Sequence, residues 1–467
     1  MKIYIMGICG TAMAHVALLL RQMGYTVLGV DGKFFDPIAS LLRENDVQTY
    51  EGYNVDRLKQ LSPDLVIVGN VVSRGNVEME YLLRERTIPF YSFPEFLGEQ
   101  LFRKRDMWVI TGTHGKTTTT SLVAFLLKSV CNPGYLIGGL PQNFSCGCCL
   151  GDASAPFAIE GDEYDTAFFD KRSKFFHYWP RTLIINNLEF DHADIFRDVR
   201  EIQRSFYQLT RLLPSDGHLV LNGDEDNVKA LLPCDWTQVH TVGFDSENDW
   251  RICNFSEDKT GITFDLYRSN ERIFEQISVP LLGQFNARNV AMACVACCVN
   301  GVQINIASLK EFKGVVRRQR IVKQVDECIV MEDFGHHPTA IRATLESLQQ
   351  CYPEYKIVAC FEPACNTSAS VYFQEKALFA FEYADEVWLL PAKEKLYSDR
   401  FVHENGLPKL DLFEMENVLE QGKEKVEVLS NYEDLCQYLS NLAAKTLVCC
   451  FSNGRLSSVL DQWKRAI

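Results

Sequence analysis

Short apolar runs alternate with segments of helical length in the N-terminal part of the chain. KIYIMG, TVLGVD, DLVIVGN and IPFYS have the length and composition of strands, whereas residues 12–23 and residues near 37–45 have those of helices. Strands that alternate with helices at this spacing predict a parallel sheet with helices on its faces. The charged run FRKRD at 102–106 follows this series, and we place a domain boundary there.

Two further series of the same kind follow. The first starts at Trp108, includes PFAIE, RTLIINN and HLVLN, and ends in a helix that contains residues 286–300. The second begins near the basic cluster VVRRQR and includes CIVMED, YKIVACFEP, EVWLLP and TLVCCFSN. The pattern therefore predicts an α/β protein of three domains in series, at 1–105, 106–314 and 315–467.

Two apolar stretches could be mistaken for membrane or export segments. Residues 289–309 carry no charge, but only 290–299 is apolar throughout, and a bilayer span needs about 20 predominantly apolar residues. We therefore predict a buried helix followed by a turn. In MKIYIMGICG, the glycines Gly7 and Gly10 favour a first strand over a signal peptide, and we expect a cytoplasmic protein without a membrane span.

Composition narrows the classes of partner. The chain has 467 residues with 47 Lys and Arg against 61 Asp and Glu, which gives a net charge of −14. Such a charge disfavours a sequence-independent grip on nucleic acid. The 17 cysteines occur without an export signal, so we expect reduced and mostly buried thiols. The C-x-C-C spacing of Cys146, Cys148 and Cys149 is not that of a structural zinc site.

The stretch VITGTHGKTTTT at 109–120 has the composition of a phosphate-binding turn between a strand and a helix. Gly112 and Gly115 bracket the turn, and Lys116 and Thr117 follow it. Backbone N–H groups at a helix N-terminus bind phosphate, a lysine there neutralises the β- and γ-phosphates, and the threonine hydroxyl suits Mg²⁺. Ile110 stands where the standard pattern has its first glycine. The alternative is a tight left-handed turn that only starts a helix.

Acidic residues follow two of the predicted strands. EGDEYD places Glu160 at the end of PFAIE, and NNLEFDHADIF places Asp191 and His192 after RTLII. Carboxylate oxygens are ligands that Mg²⁺ prefers, although each of these acids could also be a solvated loop residue. Because they follow a phosphate-type turn in the same series, we predict that they lie near the metal of a nucleotide.

Two further motifs leave alternatives open. GICGTAM has a glycine at position 7 but Cys9 and Ala12 at the later glycine positions of a dinucleotide turn, and its helix start could still face a diphosphate. Asp31, at the end of TVLGVD, could bind a ribose hydroxyl or cap the next turn. In DFGHHPTAI, the adjacent histidines favour a helix start with buried polar side chains over a shared metal.

These motifs occur together and in order in one family. TGTHGKTTT, EGDEYD, NNLEFDHADIF, GQFNARN and DFGHHPTA resemble the motifs of Mur ligases, ATP-dependent amide-forming enzymes of peptidoglycan assembly, over nearly the whole chain. The resemblance implies a Rossmann-like N-terminal domain for the UDP sugar, a central P-loop ATPase domain and a C-terminal α/β domain for the acceptor. The stretch from DEYDTAF to DHADIF, with IGGLPQNF and MGICGTAM, resembles the peptide-adding branch more than the alanine-adding one.

The resemblance also implies an activity and its residues. ATP would phosphorylate the carboxylate of UDP-N-acetylmuramate, and the amine of L-alanyl-γ-D-glutamyl-meso-diaminopimelate would displace the phosphate, in peptidoglycan recycling. The catalytic candidates are Lys116, His192, Arg317 and Arg318. The ATP contacts would be Gly112, Thr113, His114, Gly115, Lys116, Thr117, Thr118, Asn286, Asn289 and Asp333. Thr117 and Glu160 would hold one Mg²⁺, and His192 would support a second. The UDP-sugar contacts would be Gly10, Thr11, Asp31, Arg74, Asn76 and Asn143.

Departures from the family pattern cluster in the last domain and at its entry. Ala364 in EPACNT stands where an arginine facing the peptide carboxylate is expected, and residues 455–458 replace glycines. Gln319 and Arg320 replace an apolar residue and Glu, and Phe285 replaces a histidine. The identity of the acceptor is therefore open, with an L-alanine ligase and a non-catalytic relative that binds nucleotide or UDP sugar as alternatives. The absence of an N-K-x-D motif disfavours a regulatory GTPase.

Overall fold

The computed structural model describes residues 1–192, 195–391 and 408–466. The chain folds into two compact units. The first unit comprises Met1–Leu188, Ile202–Arg251 and Asn289–Ser308, and the second comprises Glu189–Glu201, Ile252–Arg288 and Leu309–Ile467.

The first unit begins with a five-stranded parallel sheet in the order β3-β2-β1-β4-β5. Its strands are β1 (Lys2–Met6), β2 (Thr26–Asp31), β3 (Gln48–Glu51), β4 (Leu65–Val68) and β5 (Phe90–Ser92). Its helices are α1 (Thr11–Gln22), α2 (Ile38–Glu44), α3 (Val55–Leu61), α4 (Val77–Glu85) and α5 (Phe93–Gln100). The central strands are continuous apolar runs because helices cover both faces of the sheet. Local signals start several helices; for example, Ser92 and Glu95 form a capping box at α5.

A second sheet of the first unit has the order β14-β13-β12-β6-β9-β7-β8. Its strands are β6 (Met107–Thr111), β7 (Gly134–Leu136), β8 (Cys148–Cys149), β9 (Phe157–Gly161), β12 (Thr182–Ile185), β13 (His218–Asn222) and β14 (Gln238–Gly243), and a small hairpin is formed by β10 (Asp165–Ala167) and β11 (Asp170–Ser173). All pairs in this sheet are parallel except β7–β8. The accompanying helices are α6 (Lys116–Lys128), α7 (Val199–Thr210), α8 (Asp226–Lys229) and α9 (Gln284–Val299). Strand β6 is buried at every position, as expected for a strand near the middle of a covered sheet.

The second unit contains antiparallel strands and a six-stranded sheet. Strand β15 (Trp250–Asp258) precedes the hairpin of β16 (Gly261–Arg268) and β17 (Glu271–Val279). The six-stranded sheet has the order β18-β19-β23-β20-β21-β22 and is parallel except for β18. Its strands are β18 (Arg320–Val325), β19 (Cys328–Asp333), β20 (Lys356–Phe361), β21 (Glu386–Leu389), β22 (Lys425–Val428) and β23 (Thr446–Phe451). The helices are α10 (Pro338–Cys351), α11 (Val371–Glu375), α12 (Ala377–Ala380), α13 (Leu412–Leu419), α14 (Tyr432–Ser440) and α15 (Leu456–Ala466).

Alternate residues of this sheet build two separate cores. Ile329 and Met331 of β19 belong to the core on one face, whereas Val330 between them belongs to the core on the other face. The period-two alternation of strand side chains produces this division. Both faces are therefore buried, which explains why the parallel strands read as unbroken apolar runs.

The structure shows what the two apolar stretches, residues 289–309 and the N-terminal segment, form. The uncharged stretch begins inside helix α9 and contains its residues 289–299, of which 290–297 are fully buried, and a turn follows the helix. Within the described residues, no helix has the length and apolar character that crossing a bilayer requires. The first residues form strand β1, as predicted. All 17 cysteines are described, and none forms a disulfide.

Candidate nucleotide-binding site

The turn between β6 and α6 has the backbone that its two glycines permit. Gly112 and Gly115 have φ values of +131° and +82°, a region that other residues adopt only with strain. A Cβ on Gly115 would lie 2.6 Å from Asn186 Nδ2 and 2.8 Å from Asn289 Oδ1. The turn therefore ends close to buried amide side chains, and the N-terminus of the 13-residue helix α6 follows at once. The positive end of the helix dipole and the N–H groups of its first turn make this position suitable for an anion.

Lys116 lies at the mouth of this turn. Its ammonium group donates to the carbonyl oxygen of Gly112 at 2.6 Å and to the two carboxylate oxygens of Glu163 at 2.8 and 3.0 Å. Glu163 is almost completely buried, with 3% of its side chain exposed. Glu163 is one acid of the motif EGDEYD that follows β9, and it is not among the predicted site residues. Nothing local could pair it with a lysine 47 positions earlier, since only the return of β9 beside β6 brings the two together.

Thr117 and Glu160 form the second polar pair of the site. The Thr117 hydroxyl donates to Glu160 Oε2 at 3.0 Å, and the N–H of Gly138 donates to Glu160 Oε1 at 2.6 Å. Two of the three predicted Mg²⁺ ligands, Thr117 and Glu160, therefore lie together at the start of α6. Gly138, in IGGLPQNF, was not among the predicted residues. A Cβ there would approach the Glu160 carboxylate to 3.3 Å, so the glycine keeps the backbone close to that group.

Asn289 lies behind the turn. Its Oδ1 accepts from Asn186 Nδ2 at 3.2 Å, and Asn186 Nδ2 also donates to Thr119 Oγ1 at 2.9 Å. Both asparagines are buried, so this network supports the base of the turn from the side of β12 and α9.

Asn286 is described with the second unit. Its amide donates to Leu282 O at 2.7 Å and to Gln319 Oε1 at 3.3 Å. Gln319, one of the departures from the family pattern, thus contacts a residue of the predicted nucleotide site. The predicted ATP contact of Asn286 stays a prediction.

His192 and Asp191 follow the buried segment after β12. His192 has a positive φ of +54°, and its backbone N–H donates to Asp191 Oδ1 at 2.7 Å. Burial alone would raise the pKa of Asp191, but the charges of His192 and His336 outweigh it and hold the pKa well below its usual value. His337 contacts Phe190 O at 3.1 Å and precedes Pro338, the first residue of α10. The helix start predicted from HHP is therefore present.

Arg317, Arg318 and Asp333 lie close together in the second unit. The Arg317 guanidinium donates to Ser452 O at 2.8 Å and Gly454 O at 3.1 Å, and burial lowers its pKa. Arg318 packs 4.5 Å from the centre of the Phe334 ring. Asp333 accepts from the N–H groups of Gly335 at 2.6 Å and Gln319 at 2.9 Å, and burial raises its pKa. These contacts within the protein account for the positions of the Arg317 and Asp333 side chains. The roles of these residues in nucleotide binding stay predictions.

The predicted UDP-sugar residues follow strands of the first sheet. The Asp31 carboxylate accepts from Cys9 N at 2.8 Å and Gly32 N at 2.7 Å, which favours the capping alternative for this residue. Gly10 is the N-cap of α1, and Thr11 is its first residue. These groups lie at the carboxyl edge of a parallel sheet, where ligands of such sheets bind.

The remaining UDP-sugar candidates also have structural roles. Asn76 is the N-cap of α4 and accepts from Glu78 N at 3.1 Å and Met79 N at 3.2 Å. Arg74 forms an exposed ion pair with Glu80 at 2.9 Å. Asn143 is half-buried in the segment between β7 and β8. Their contacts with a UDP sugar stay predictions.

Parallel sheets with a glycine-bracketed phosphate turn define an α/β nucleotide-binding protein. Residues 2–105, 110–297 and 317–454 match, in turn, the Mur ligase catalytic domain, the Mur ligase middle domain and the glutamate ligase domain of Mur ligases. The chain belongs to the Mur ligase family. The prediction of this family, and of an α/β fold with three domains in series, is therefore confirmed, whereas the boundaries at 105 and 314 stay predictions.

Individual relatives support the same family. The UDP-N-acetylmuramate–L-alanyl-γ-D-glutamyl-meso-2,6-diaminoheptandioate ligases of Haemophilus influenzae and Escherichia coli are 40% and 38% identical, each over 84% of this chain and 86% and 85% of their own. A murein peptide ligase structure from Psychrobacter arcticus is 32% identical with a TM-score of 0.76, covering 100% of this chain and 99% of that one. A UDP-N-acetylmuramate–alanine ligase from Thermotoga maritima has a TM-score of 0.80 at 22% identity over 100% and 99% of the two chains, which concerns the fold alone.

Proposed function

We propose that this protein is an ATP-dependent ligase that joins the carboxylate of UDP-N-acetylmuramate to the amine of L-alanyl-γ-D-glutamyl-meso-diaminopimelate. The observation that carries the proposal is the 40% identity to a ligase of that name over 84% of the chain. L-alanine ligases of Streptococcus pyogenes are less similar, at 31% identity over 83% of the chain. The use of ATP and a UDP sugar agrees with the expected cytoplasmic location.

The arrangement at the start of α6 suits the first step of such a reaction. A carboxylate that attacks a γ-phosphate brings two anions together, so catalysis depends on positioning and charge neutralisation. Lys116 would exchange its contacts with Glu163 and Gly112 for phosphate oxygens. The resulting acyl phosphate would then be attacked by the amine of the acceptor, with release of phosphate and formation of the amide.

The same position fits Mg²⁺. The hydroxyl of Thr117 and the carboxylate of Glu160 are hard oxygen donors 3.0 Å apart, and Mg²⁺ in nucleotide sites is commonly held by one or two such groups together with phosphate oxygens. Bound Mg²⁺ would supply charge neutralisation for the phosphates. Thr117 and Glu160 would hold it, and His192 stays the predicted ligand of a second ion.

Position 364, which the family resemblance places near the acceptor, is an alanine in this chain. Ala364 ends in a methyl group, and a Cβ added to Gly454 would come within 2.6 Å of it. An arginine at position 364 could form a charge-assisted fork with an acceptor carboxylate, whereas the methyl group cannot. This observation keeps L-alanine, or a tripeptide with a different third residue, as second candidate acceptors.

An acceptor screen tests the proposal. The protein is incubated with ATP, Mg²⁺ and UDP-N-acetylmuramate, and with L-alanine, the diaminopimelate tripeptide or its lysine analogue in separate reactions. Phosphate release and product mass are measured in each. We expect product with the diaminopimelate tripeptide, whereas product with L-alanine alone would overturn the assignment. ATP binding without phosphate release in any reaction would identify a non-catalytic relative.

A further inference from the structure

The side chain of Asn187 forms two hydrogen bonds with the backbone of one residue of the phosphate turn, His114. Its Oδ1 accepts from the backbone N–H of His114 at 2.7 Å, and its Nδ2 donates to the carbonyl oxygen of the same residue at 3.2 Å. The backbone carbonyl of Asn187 accepts from the N–H of Thr113 at 3.2 Å. Asn187 thus pairs with the turn as a neighbouring strand would, although it lies beyond the end of β12.

These contacts divide the N–H groups of the turn into two sets. Those of Thr113 and His114 point at Asn187, whereas the N–H groups in the first turn of α6 have no acceptor within the helix. Phosphate binds at the second kind of group. We propose that Asn187 is a positioning residue: it binds the N–H groups of Thr113 and His114, which the family resemblance makes candidate ATP contacts, and so leaves the start of α6 to face the phosphates. The inference rests on the proposed binding of a nucleotide at this turn.

The backbone of Asn186 and Asn187, on which the turn rests, is held in place by further contacts. A Cβ on Gly112 would lie 2.9 Å from both the N and the O of Asn187, so the turn rests directly on this backbone. Asn186 O accepts from the buried Asn222 at 2.8 Å, and the Asn186 side chain contacts Thr119, as described above. The two Asn187 contacts therefore connect the turn to a support held by β12 and β13.

The test uses MgADP as the probe, because its binding needs neither the UDP sugar nor the acceptor. Asn187→Ala should weaken MgADP binding about tenfold or more, as expected for two lost hydrogen bonds. Asn300→Ala is the matched control. Asn300 is also half-buried and donates to Thr182 Oγ1 at 2.9 Å, at the opposite end of the same strand. Asn300→Ala should lower the melting temperature about as much as Asn187→Ala does, but it should change the MgADP dissociation constant less than twofold.

Several outcomes would overturn the inference. One is an Asn187→Ala variant that binds MgADP as the wild type does; another is an equal loss of binding in both variants, which would indicate general destabilisation. If Asn187→Ala does not fold, Asn187→Gln moves the same amide by one methylene and should bind MgADP severalfold more weakly, and wild-type affinity in that variant would count against the role. A wild-type protein that does not bind MgADP would instead contradict the proposed function itself.

Discussion

The ammonium group of Lys116 lies 2.8 Å from Glu163 Oε2, and that carboxylate is almost completely buried. Attraction between the two charges is stronger there than in water, because little solvent screens them. Glu163 thus holds the lysine across the mouth of the turn, and the proposed reaction requires the ammonium group to move from Glu163 to phosphate oxygens.

Removing the Lys116 ammonium should abolish turnover while the protein stays folded. For Lys116→Ala we expect kcat/KM for ATP to fall by at least about 100-fold, a typical loss for one group that stabilises charge in the transition state. UDP-N-acetylmuramate binding should persist. Steady-state kinetics and titration of the UDP sugar measure both. Lys128→Ala, at the exposed other end of α6, is the control, and an active Lys116→Ala variant would mean that the turn is only structural.

The fold could be predicted where strands are buried on both faces. β6 and β20 are unbroken apolar runs, and the pattern located them directly. The edge strands QTYE at Gln48–Glu51 and KVEV at Lys425–Val428 are half-exposed, and the long strands β15 and β17 carry several exposed polar residues. Those strands were not predicted, because their sequences resemble solvated loops.

The candidate site was predictable only in its local part. Its recognisable residues lie within six positions of the sequence, and their spacing is typical of a phosphate-binding turn: Gly112, Gly115, Lys116 and Thr117. The partners of these residues come from other strand ends, as with Glu163 for the lysine and Gly138 for Glu160. Such pairings depend on which loops return to the same sheet edge, and no periodicity in one sequence encodes that.

Loss of the Glu160 carboxylate should change the metal requirement. Glu160→Ala removes the group that accepts from Thr117 and Gly138, so we expect the Mg²⁺ concentration for half-maximal activity to rise about tenfold or more, by analogy with the loss of groups that support a metal site. Activity measured over a Mg²⁺ titration checks this. Asp152→Ala, an exposed acid in the same unit, serves as control. Unchanged Mg²⁺ dependence would remove Glu160 from the site.

Arg317 should contribute to stability as well as to any role with ligand. Its guanidinium satisfies two backbone carbonyl groups, those of Ser452 and Gly454. For Arg317→Ala we expect the second unit to lose about 2–3 kcal/mol of unfolding free energy, since the carbonyl groups of the buried Ser452 and the half-buried Gly454 lose a charged donor. Denaturant unfolding measures the change. Arg465→Ala changes an exposed arginine in the last turn of α15 and should cost less than about 0.5 kcal/mol; equal losses in the two variants would contradict this account of Arg317.

Stability should fall in mild acid through the buried His15. Its Nδ1–H donates to Ile137 O at 2.9 Å, and its Nε2 accepts from Gly147 N at 3.3 Å, which fixes the neutral ring. Burial lowers its pKa in the folded protein. The unfolded chain therefore takes up a proton first, so the stabilisation is complete above about pH 6.5 and declines below it. It stops declining once the pH is below the folded pKa.

A non-titrating variant isolates this effect. The wild type and His15→Gln are unfolded by denaturant at pH 7.5 and at pH 5.5. The wild type should lose more stability between the two values, by up to about 1.4 kcal/mol per pH unit in the affected range. An identical pH dependence in both proteins would show that His15 does not titrate in this way.

Cys146 should be the more reactive of two half-buried thiols. Its Sγ lies 3.9 Å from Cys148 Sγ, and hydrogen bonding from Cys148 lowers its pKa to about 6. Burial instead raises the pKa of Cys9, which is also half-buried. Because the thiolate is the nucleophile, iodoacetamide at pH 7 should label Cys146 faster than Cys9, as followed by peptide mass spectrometry.

Cys148→Ala removes the hydrogen bond between the two thiols and should slow labelling of Cys146 at pH 7 but much less at pH 9. Equal rates for Cys146 and Cys9 at pH 7 in the wild type would show that the neighbouring thiol does not activate Cys146.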